Sequence, residues 1–300
     1  MSGGRGRGEG MDDAAGASRA PGAPDGFGRR WRRQVGRSWQ AKIALGLLGV
    51  VAAACFAAPA FGVDPYAVDL DSMSQPPSAE HWFGTDALGR DYFVNVLYGG
   101  RVSLIVGLLA MAACTSIGVV VGLTAGFAPA WLDGLLMRLV DFLTSIPWLI
   151  LVIVISLLLR PGIVTIIIAI GCFTWMSTAR LVRAETLSIR ERAYVSYAVF
   201  IGQPRRRTAL RHVLPDVAPT ILVAASASVS AAMMTEAALS FLGMGVQPPM
   251  ASWGSLLQTA QGSLQALPHL AVIPGLAIML TVYCLNVLTN VTRAATQVGR

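Results

Sequence analysis

The chain has 300 residues, of which 54% are apolar and only 13% are charged. In soluble domains about a quarter of all residues are usually charged, so this composition excludes a soluble globular protein. It indicates an all-α protein that crosses a membrane several times. The net charge of +7 does not indicate nucleic-acid binding, because the basic residues collect beside apolar segments rather than on a soluble face. Lipid headgroups and a docking protein are the expected partners of these residues.

The cysteines, histidines and lysine argue against metal, redox and nucleotide sites. The four cysteines lie in apolar runs without C-x-x-C spacing, and the three histidines are far apart in sequence. The single lysine, Lys42, does not follow the G-x-x-x-x-G pattern of a phosphate-binding loop. We therefore expect no metal site, no cofactor and no ATPase site of this type in this chain.

The first hundred residues predict a tail, a membrane span and an external loop. Residues 1–40 are rich in Gly, Ala and Arg, which predicts a disordered basic cytoplasmic tail. Within residues 41–100, the apolar run 43–62 has about the 20 residues that a span needs. A cleaved signal peptide is the alternative, but signal cores have only about 7–15 apolar residues. Residues 63–100 are acidic and contain prolines, so they predict an external loop.

Residues 101–300 predict a five-helix core. The apolar runs lie at about 102–128, 135–159, 162–181, 217–242 and 268–292. Together with the first run they predict six transmembrane helices. With both termini in the cytoplasm, all basic residues except Arg90, Arg101 and Arg160 lie on the cytoplasmic side or at its edge, as the positive-inside rule requires. The charged loop at about 185–215 is then cytoplasmic.

A few residues inside the predicted spans have structural or functional implications. Glycines recur at or near four-residue spacing on the second span, at Gly107, Gly118, Gly122 and Gly126. This spacing predicts close packing against another helix. Pro147 predicts a kink in the third span. Glu236 lies in the fifth span, where an unpaired carboxylate is costly, so it either contacts a cationic substrate on a translocation path or pairs with protein groups.

Residues 190–215 are the only strongly charged segment in the second half of the chain. Gly202 and Pro204 interrupt the segment, which predicts a short amphipathic helix, a turn and a second basic helix from about Arg205. A short helix with an apolar face and charged ends suits a groove on another protein. Our hypothesis is that an ATPase acts on this helix; the alternative is that the arginines only orient the spans.

This segment resembles the cytoplasmic loop of membrane permease subunits of ATP-binding-cassette importers. The family pattern is E-A-A, three residues, G, and later L-P, and the corresponding positions are Ser196, Tyr197, Ala198, Gly202, Leu214 and Pro215. Ser196 and Tyr197 replace the usual glutamate and first alanine. Glu191 and Tyr194 lie just before them, and we include both among the residues expected to couple the chain to the ATPase.

Four further stretches are similar to the C-type subunit of the dipeptide, oligopeptide and nickel permease group. They are HWFGTDALGRD at 81–91, LYGGRVSLIVG at 97–107, RLVDFLTSIPWLIL at 138–151 and FLGMGVQPPMASWG at 241–254. The similarity implies a type I importer permease fold in a prokaryotic plasma membrane.

The similarity also implies the partners and the cargo. It implies a homologous B-type permease, two cytoplasmic ATPases that bind ATP and Mg, an external substrate-binding protein and a peptide cargo. Nickel or another metal chelate is the alternative cargo, and it would cross as a complex because the spans carry no His or Cys ligand cluster. A secondary transporter driven by an ion gradient is the alternative from another class.

Overall fold

Because a bilayer offers no hydrogen-bond partners to the backbone, apolar runs of this length must form helices. The computed structural model describes residues 27–62 and 64–297, and within this part of the chain the regular secondary structure is helical apart from one isolated β-bridge between Thr85 and Asp91. Its α-helices are α1 (Phe27–Arg37), α2 (Trp39–Ala57), α3 (Tyr92–Phe127), α4 (Ala130–Ser145), α5 (Trp148–Leu158), α6 (Ile163–Arg190), α7 (Ala193–Phe200), α8 (Arg205–Thr208), α9 (Leu214–Phe241), α10 (Trp253–Ala260) and α11 (His269–Gln297).

Long apolar helices account for most of the predicted spans. Within the described residues, five helices are long and apolar enough to cross a membrane: Trp39–Ala60, Tyr92–Phe127, Ile163–Arg190, Arg205–Phe241 and His269–Gln297. They correspond to the first, second, fourth, fifth and sixth predicted spans. The prediction of an all-helical membrane protein is confirmed.

The third predicted span, at 135–159, is not one continuous helix. It is divided into α4 and α5, and Ile146 between them is extended, with φ −85° and ψ 128°. Pro147 lacks a backbone N–H and disfavours helical geometry in the preceding residue. The predicted kink is therefore a complete break, and neither half is long enough to cross a membrane alone.

Two predicted boundaries differ from the structure. The predicted tail, residues 1–40, is helical from Phe27 onward, and residues 1–26 lie outside the described part of the chain. Tertiary contact explains the difference, because α1 packs on α11 and the indole N–H of Trp31 donates to the Thr292 hydroxyl at 3.2 Å. The predicted loop at 63–100 ends at Asp91, whose carboxylate caps α3 by accepting from the Val94 N–H at 3.1 Å.

The glycines of α3 allow close approach of two neighbouring helices, as their spacing predicts. A Cβ added at these positions would lie 2.7 Å from Thr178 Cβ for Gly118, 2.6 Å from the Ala179 carbonyl oxygen for Gly122 and 2.5 Å from Thr186 Cγ2 for Gly126. All three contacted residues belong to α6. At Gly107 the added atom would lie 2.5 Å from Met233 Cγ of α9. Helix α3 is therefore packed between α6 and α9 at the centre of the fold.

The loop before α3 is held by polar contacts within it. His81 Nδ1 lies 2.9 Å from Asp91 Oδ2, and Arg90 Nε donates to Asp86 Oδ2 at 2.8 Å. The buried hydroxyl of Thr85 donates to the Ser72 carbonyl. These contacts explain why an acidic, proline-containing segment has a defined conformation.

Candidate coupling site

The loop between α6 and α9 has the order of elements that its sequence predicts. Helix α7 follows α6, and the turn after it uses Gly202 at φ +82°, a left-handed conformation that favours glycine. Pro204 caps α8, which is too short to be more than one basic turn. A π-helical turn, Ala209–Val213, then continues into α9. This helix, turn and second basic helix confirm the local prediction.

Helix α7 is anchored to the membrane helices by a buried apolar cluster, the α7 anchor. Val195 of α7 has 0% exposure, and the α7 anchor also contains Leu123 of α3, Val182 and Ile189 of α6, Val213 of the π turn and Val217 of α9. Ala198, one turn further along α7, is also buried. Because α3, α6 and α9 all contribute, the α7 anchor joins α7 to the adjoining ends of these three helices.

Polar contacts also fix α7 to the start of α9. Arg192 Nη1 lies 3.0 Å from Asp216 Oδ2, and the Tyr194 hydroxyl donates to the same oxygen. Partial burial, followed by the hydrogen bond to Asp216, raises the pKa of Tyr194, so its hydroxyl remains a donor at neutral pH. The Ser196 hydroxyl donates to the Arg190 carbonyl at 3.4 Å. Tyr194 and Ser196 therefore stabilise the loop itself.

The opposite side of α7 exposes large apolar side chains, which we call the coupling face. Tyr197 is 65% exposed, Phe200 is 86% exposed and Ile201 is 62% exposed. The exposed arginines Arg205, Arg206 and Arg207 follow directly in the chain. Contiguous exposed apolar side chains beside charges are typical of a protein interaction site.

The predicted coupling residues divide into two groups. Glu191, Tyr194, Ser196, Tyr197, Gly202 and Pro215 are exposed, whereas Ala198 is buried and Leu214 is half-buried. The structure adds Val195, Phe200 and Asp216, which the sequence pattern did not single out. Their roles depend on which side of a two-turn helix faces α9, and the loop sequence alone does not show this.

An ion pair also fixes the first turn of α4 to α6. Arg183 Nε donates to Asp133 Oδ1 at 2.5 Å and Nη2 donates to Oδ2 at 2.7 Å, a bidentate ion pair. The guanidinium of Arg183 lowers the pKa of Asp133 below its usual range. Arg190 Nη1 also donates to the Gly126 carbonyl at the end of α3, at 3.0 Å.

Glu236 lies far from the coupling face, about 30 Å along α9 from Asp216 at 1.5 Å per residue. It is only 1% exposed, and it accepts from the Ser103 hydroxyl at 3.0 Å and from the Ser240 hydroxyl at 2.7 Å. The Ser103 hydroxyl oxygen in turn accepts from the backbone N–H of Trp253 at 3.2 Å. Glu236 therefore joins α3, α9 and α10, and this burial favours the pairing role over substrate contact.

The described residues thus combine five helices long and apolar enough to cross a membrane with a short helix, α7, that is anchored to three of them. Residues 118–296 match the family described as binding-protein-dependent transport system inner membrane component. The chain belongs to this family, and its resemblance to importer permeases is confirmed. Proteins of this family are membrane components of transport systems that depend on a binding protein.

Similar proteins support the same assignment over most of the chain. The chain is 38% identical to the oligopeptide transport system permease protein OppC of Haemophilus influenzae over 229 residues, which cover 76% of this chain and 74% of the relative. It is also 38% identical to the glutathione transport system permease protein GsiD of Escherichia coli over 269 residues, 90% of this chain and 88% of the relative. The second match includes residues that precede the family match.

Proposed function

We propose that this chain is the C-type permease subunit of an ATP-driven importer of dipeptides and oligopeptides. Two relatives are named for the transport of oligopeptides and of glutathione, which is itself a tripeptide. The observation that carries the proposal is the α7 anchor, which joins an exposed helix to α3, α6 and α9. An importer needs such a connection because its ATPases lie outside the membrane.

The chain does not hydrolyse ATP itself; it transmits a conformational change of its partner ATPases to the membrane helices. Two partner ATPases bind ATP and Mg, and the coupling face of α7 docks into them. When the ATPases close, α7 moves and the buried side chains of Val195 and Ala198 carry the motion into the membrane helices. This transmission requires the ATPases to bind the two states of the permease with different affinity.

The arrangement in the membrane follows from the same proposal. Helices α4 and α5 together form a broken third crossing, which gives six crossings with both termini in the cytoplasm. A homologous B-type permease completes the translocation path between the two subunits. The loop before α3 then faces the external substrate-binding protein.

Two alternative functions differ from this proposal, one in the cargo and the other in the energy source. A nickel or other metal-chelate importer would use the same architecture with another cargo. An ion-driven secondary transporter would need neither a binding protein nor an ATPase, and the family match favours the importer.

Reconstitution tests the proposal. Proteoliposomes would contain this chain, its B-type permease, the two ATPases and the binding protein, and uptake of labelled dipeptide and of labelled nickel chelate would be measured with and without ATP. We expect dipeptide uptake that requires ATP. Uptake of nickel chelate alone would contradict the peptide cargo, and accumulation by this chain alone under an ion gradient would contradict the importer.

A further inference from the structure

A cavity of about 770 Å³ lies where α4 and α5 break, against α6 and α9. Its volume is in the range of about 300–1,000 Å³ that small-molecule sites occupy. Polar and aromatic side chains from all four helices line it: Thr144, Trp148, Thr174, Ser177, Arg180 and Thr235. The cavity is separate from the coupling face and from the network around Glu236.

The helix break is a stable feature of the cavity wall. The Thr144 hydroxyl donates to the Val140 carbonyl at 2.6 Å, and the Ser145 hydroxyl donates to the Phe142 carbonyl at 2.7 Å. The second bond satisfies a carbonyl that the end of α4 leaves without a helical partner, and the first ties the Thr144 side chain to its own helix. At membrane depth an irregular backbone is tolerated where it is buried in protein or lines a water-filled cavity, and this break lines the cavity.

Arg180 is the one charged residue that lines this cavity, and its only hydrogen bond in the described part of the chain goes to a neutral group. Its Nη2 donates to Thr144 Oγ1 at 2.5 Å, and no carboxylate among the described residues lies within ion-pair distance of it. Arg183, one turn away, is paired with both oxygens of Asp133. A guanidinium has five donors, so Arg180 retains donors for an anion.

We propose that this cavity holds the cargo in transit and that Arg180 binds its carboxylate. A guanidinium suits a carboxylate in particular, because the two planar groups can form paired hydrogen bonds. The Thr235 hydroxyl lines the same cavity, and the Thr174 and Ser177 hydroxyls, which donate to carbonyls of their own helix, can accept hydrogen bonds from N–H groups of the cargo. The inference rests on the proposed function, since a peptide with a free C-terminus supplies the carboxylate.

The first test compares two forms of one dipeptide in the reconstituted importer. One form has a free C-terminal carboxylate and the other is amidated, and each is supplied at a concentration that saturates the binding protein. We expect Arg180→Gln to lower uptake of the carboxylate form about tenfold, the effect of losing a hydrogen bond to a charged group, and to leave the amide form unchanged. Arg180→Lys, which keeps the charge, should retain part of the uptake.

Arg138→Gln is the matched control, because Arg138 is exposed on α4 and does not line the cavity. It should leave uptake of both forms unchanged. If Arg180→Gln lowered uptake of both forms equally while the complex remained assembled, the carboxylate site would be refuted. If the parent importer took up neither form, the proposed function itself would be refuted.

A second test does not depend on peptide transport. Ser177→Cys is introduced into the assembled importer with Cys172→Ala, because Cys172 is an exposed native thiol. An anionic methanethiosulfonate reagent should modify the new thiol several-fold faster than a cationic one, and Arg180→Gln should remove this preference. The carboxylate dipeptide should protect the thiol and the amide should not. Equal rates for the two reagents before Arg180 is replaced would overturn the inference.

Discussion

Gly202 offers a direct way to disturb the coupling face without removing any side-chain contact. Its φ of +82° lies in the left-handed region, and a Cβ added there would meet no atom within 4 Å. Alanine or asparagine at this position therefore changes only the backbone energy of the turn after α7, whereas proline also removes the hydrogen bond from the Gly202 N–H to the Val199 carbonyl. The side chains of the α7 anchor and of the coupling face are left intact.

The size of the effect follows from the backbone conformation. An alanine in the left-handed region costs about 1–2 kcal/mol, which reduces the population of the native turn about 5- to 30-fold. Asparagine tolerates this region and should cost less. Proline fixes φ near −65° and cannot adopt the native turn, so Gly202→Pro has to displace the end of α7.

The assay measures ATP hydrolysis and dipeptide uptake in the same proteoliposomes. The number of ATP molecules hydrolysed per dipeptide imported should rise in the order Gly202→Asn, Gly202→Ala, Gly202→Pro. Gly134→Ala is a matched control, since Gly134 is helical and a Cβ there also meets no atom within 4 Å. Coupled transport by Gly202→Pro at the parental ratio would refute the role given to α7.

Three further predictions concern the helices that support this site. Asp133→Asn should lower the unfolding temperature by about 2–4 °C, the shift for a loss of about 1 kcal/mol. Because the folded-state pKa of Asp133 is lowered, the ion pair contributes its full stability above about pH 4 and loses it at lower pH. The difference in unfolding temperature between variant and parent should therefore narrow in acid, and a constant difference would argue against the ion pair. Gly122→Leu should destabilise the α3–α6 contact by about 1–3 kcal/mol and reduce the monodisperse fraction on size-exclusion chromatography, whereas Gly134→Leu, in open space, should not. Glu236→Ala should destabilise the protein by about 1–3 kcal/mol because it leaves the Ser103 and Ser240 hydroxyls without their acceptor, whereas Glu236→Gln should retain most of the stability; loss of uptake in Glu236→Ala at parental thermal stability would instead indicate substrate contact.

Local sequence signals predicted the elements of this fold well. Apolar run length located five long helices, and Gly202 with Pro204 located the turn between α7 and α8. Both signals act on neighbouring residues, so they are visible in a short stretch of sequence. The glycine spacing on α3 was sufficient to predict close packing, although it did not identify α6 as the main partner helix.

Contacts between distant residues were not predictable in the same way. Asp133 pairs with a residue 50 positions away, and Tyr194 bonds to a residue 22 positions away. The α7 anchor assembles side chains from three membrane helices, so no single stretch of sequence shows it. The helical conformation of α1 likewise depends on its packing against α11 rather than on local composition.

Site-specific photocrosslinking tests the central claim most directly. A photoreactive amino acid would replace Phe200 of the coupling face, which is 86% exposed, and in a control Leu158 at the end of α5, which is 79% exposed. In the assembled importer we expect crosslinking to the ATPase subunit from position 200 and none from position 158. The yield from position 200 should change between the nucleotide-free and ATP-bound states. Failure to capture the ATPase from position 200, or equal capture from both positions, would contradict the assignment of α7 as the coupling helix.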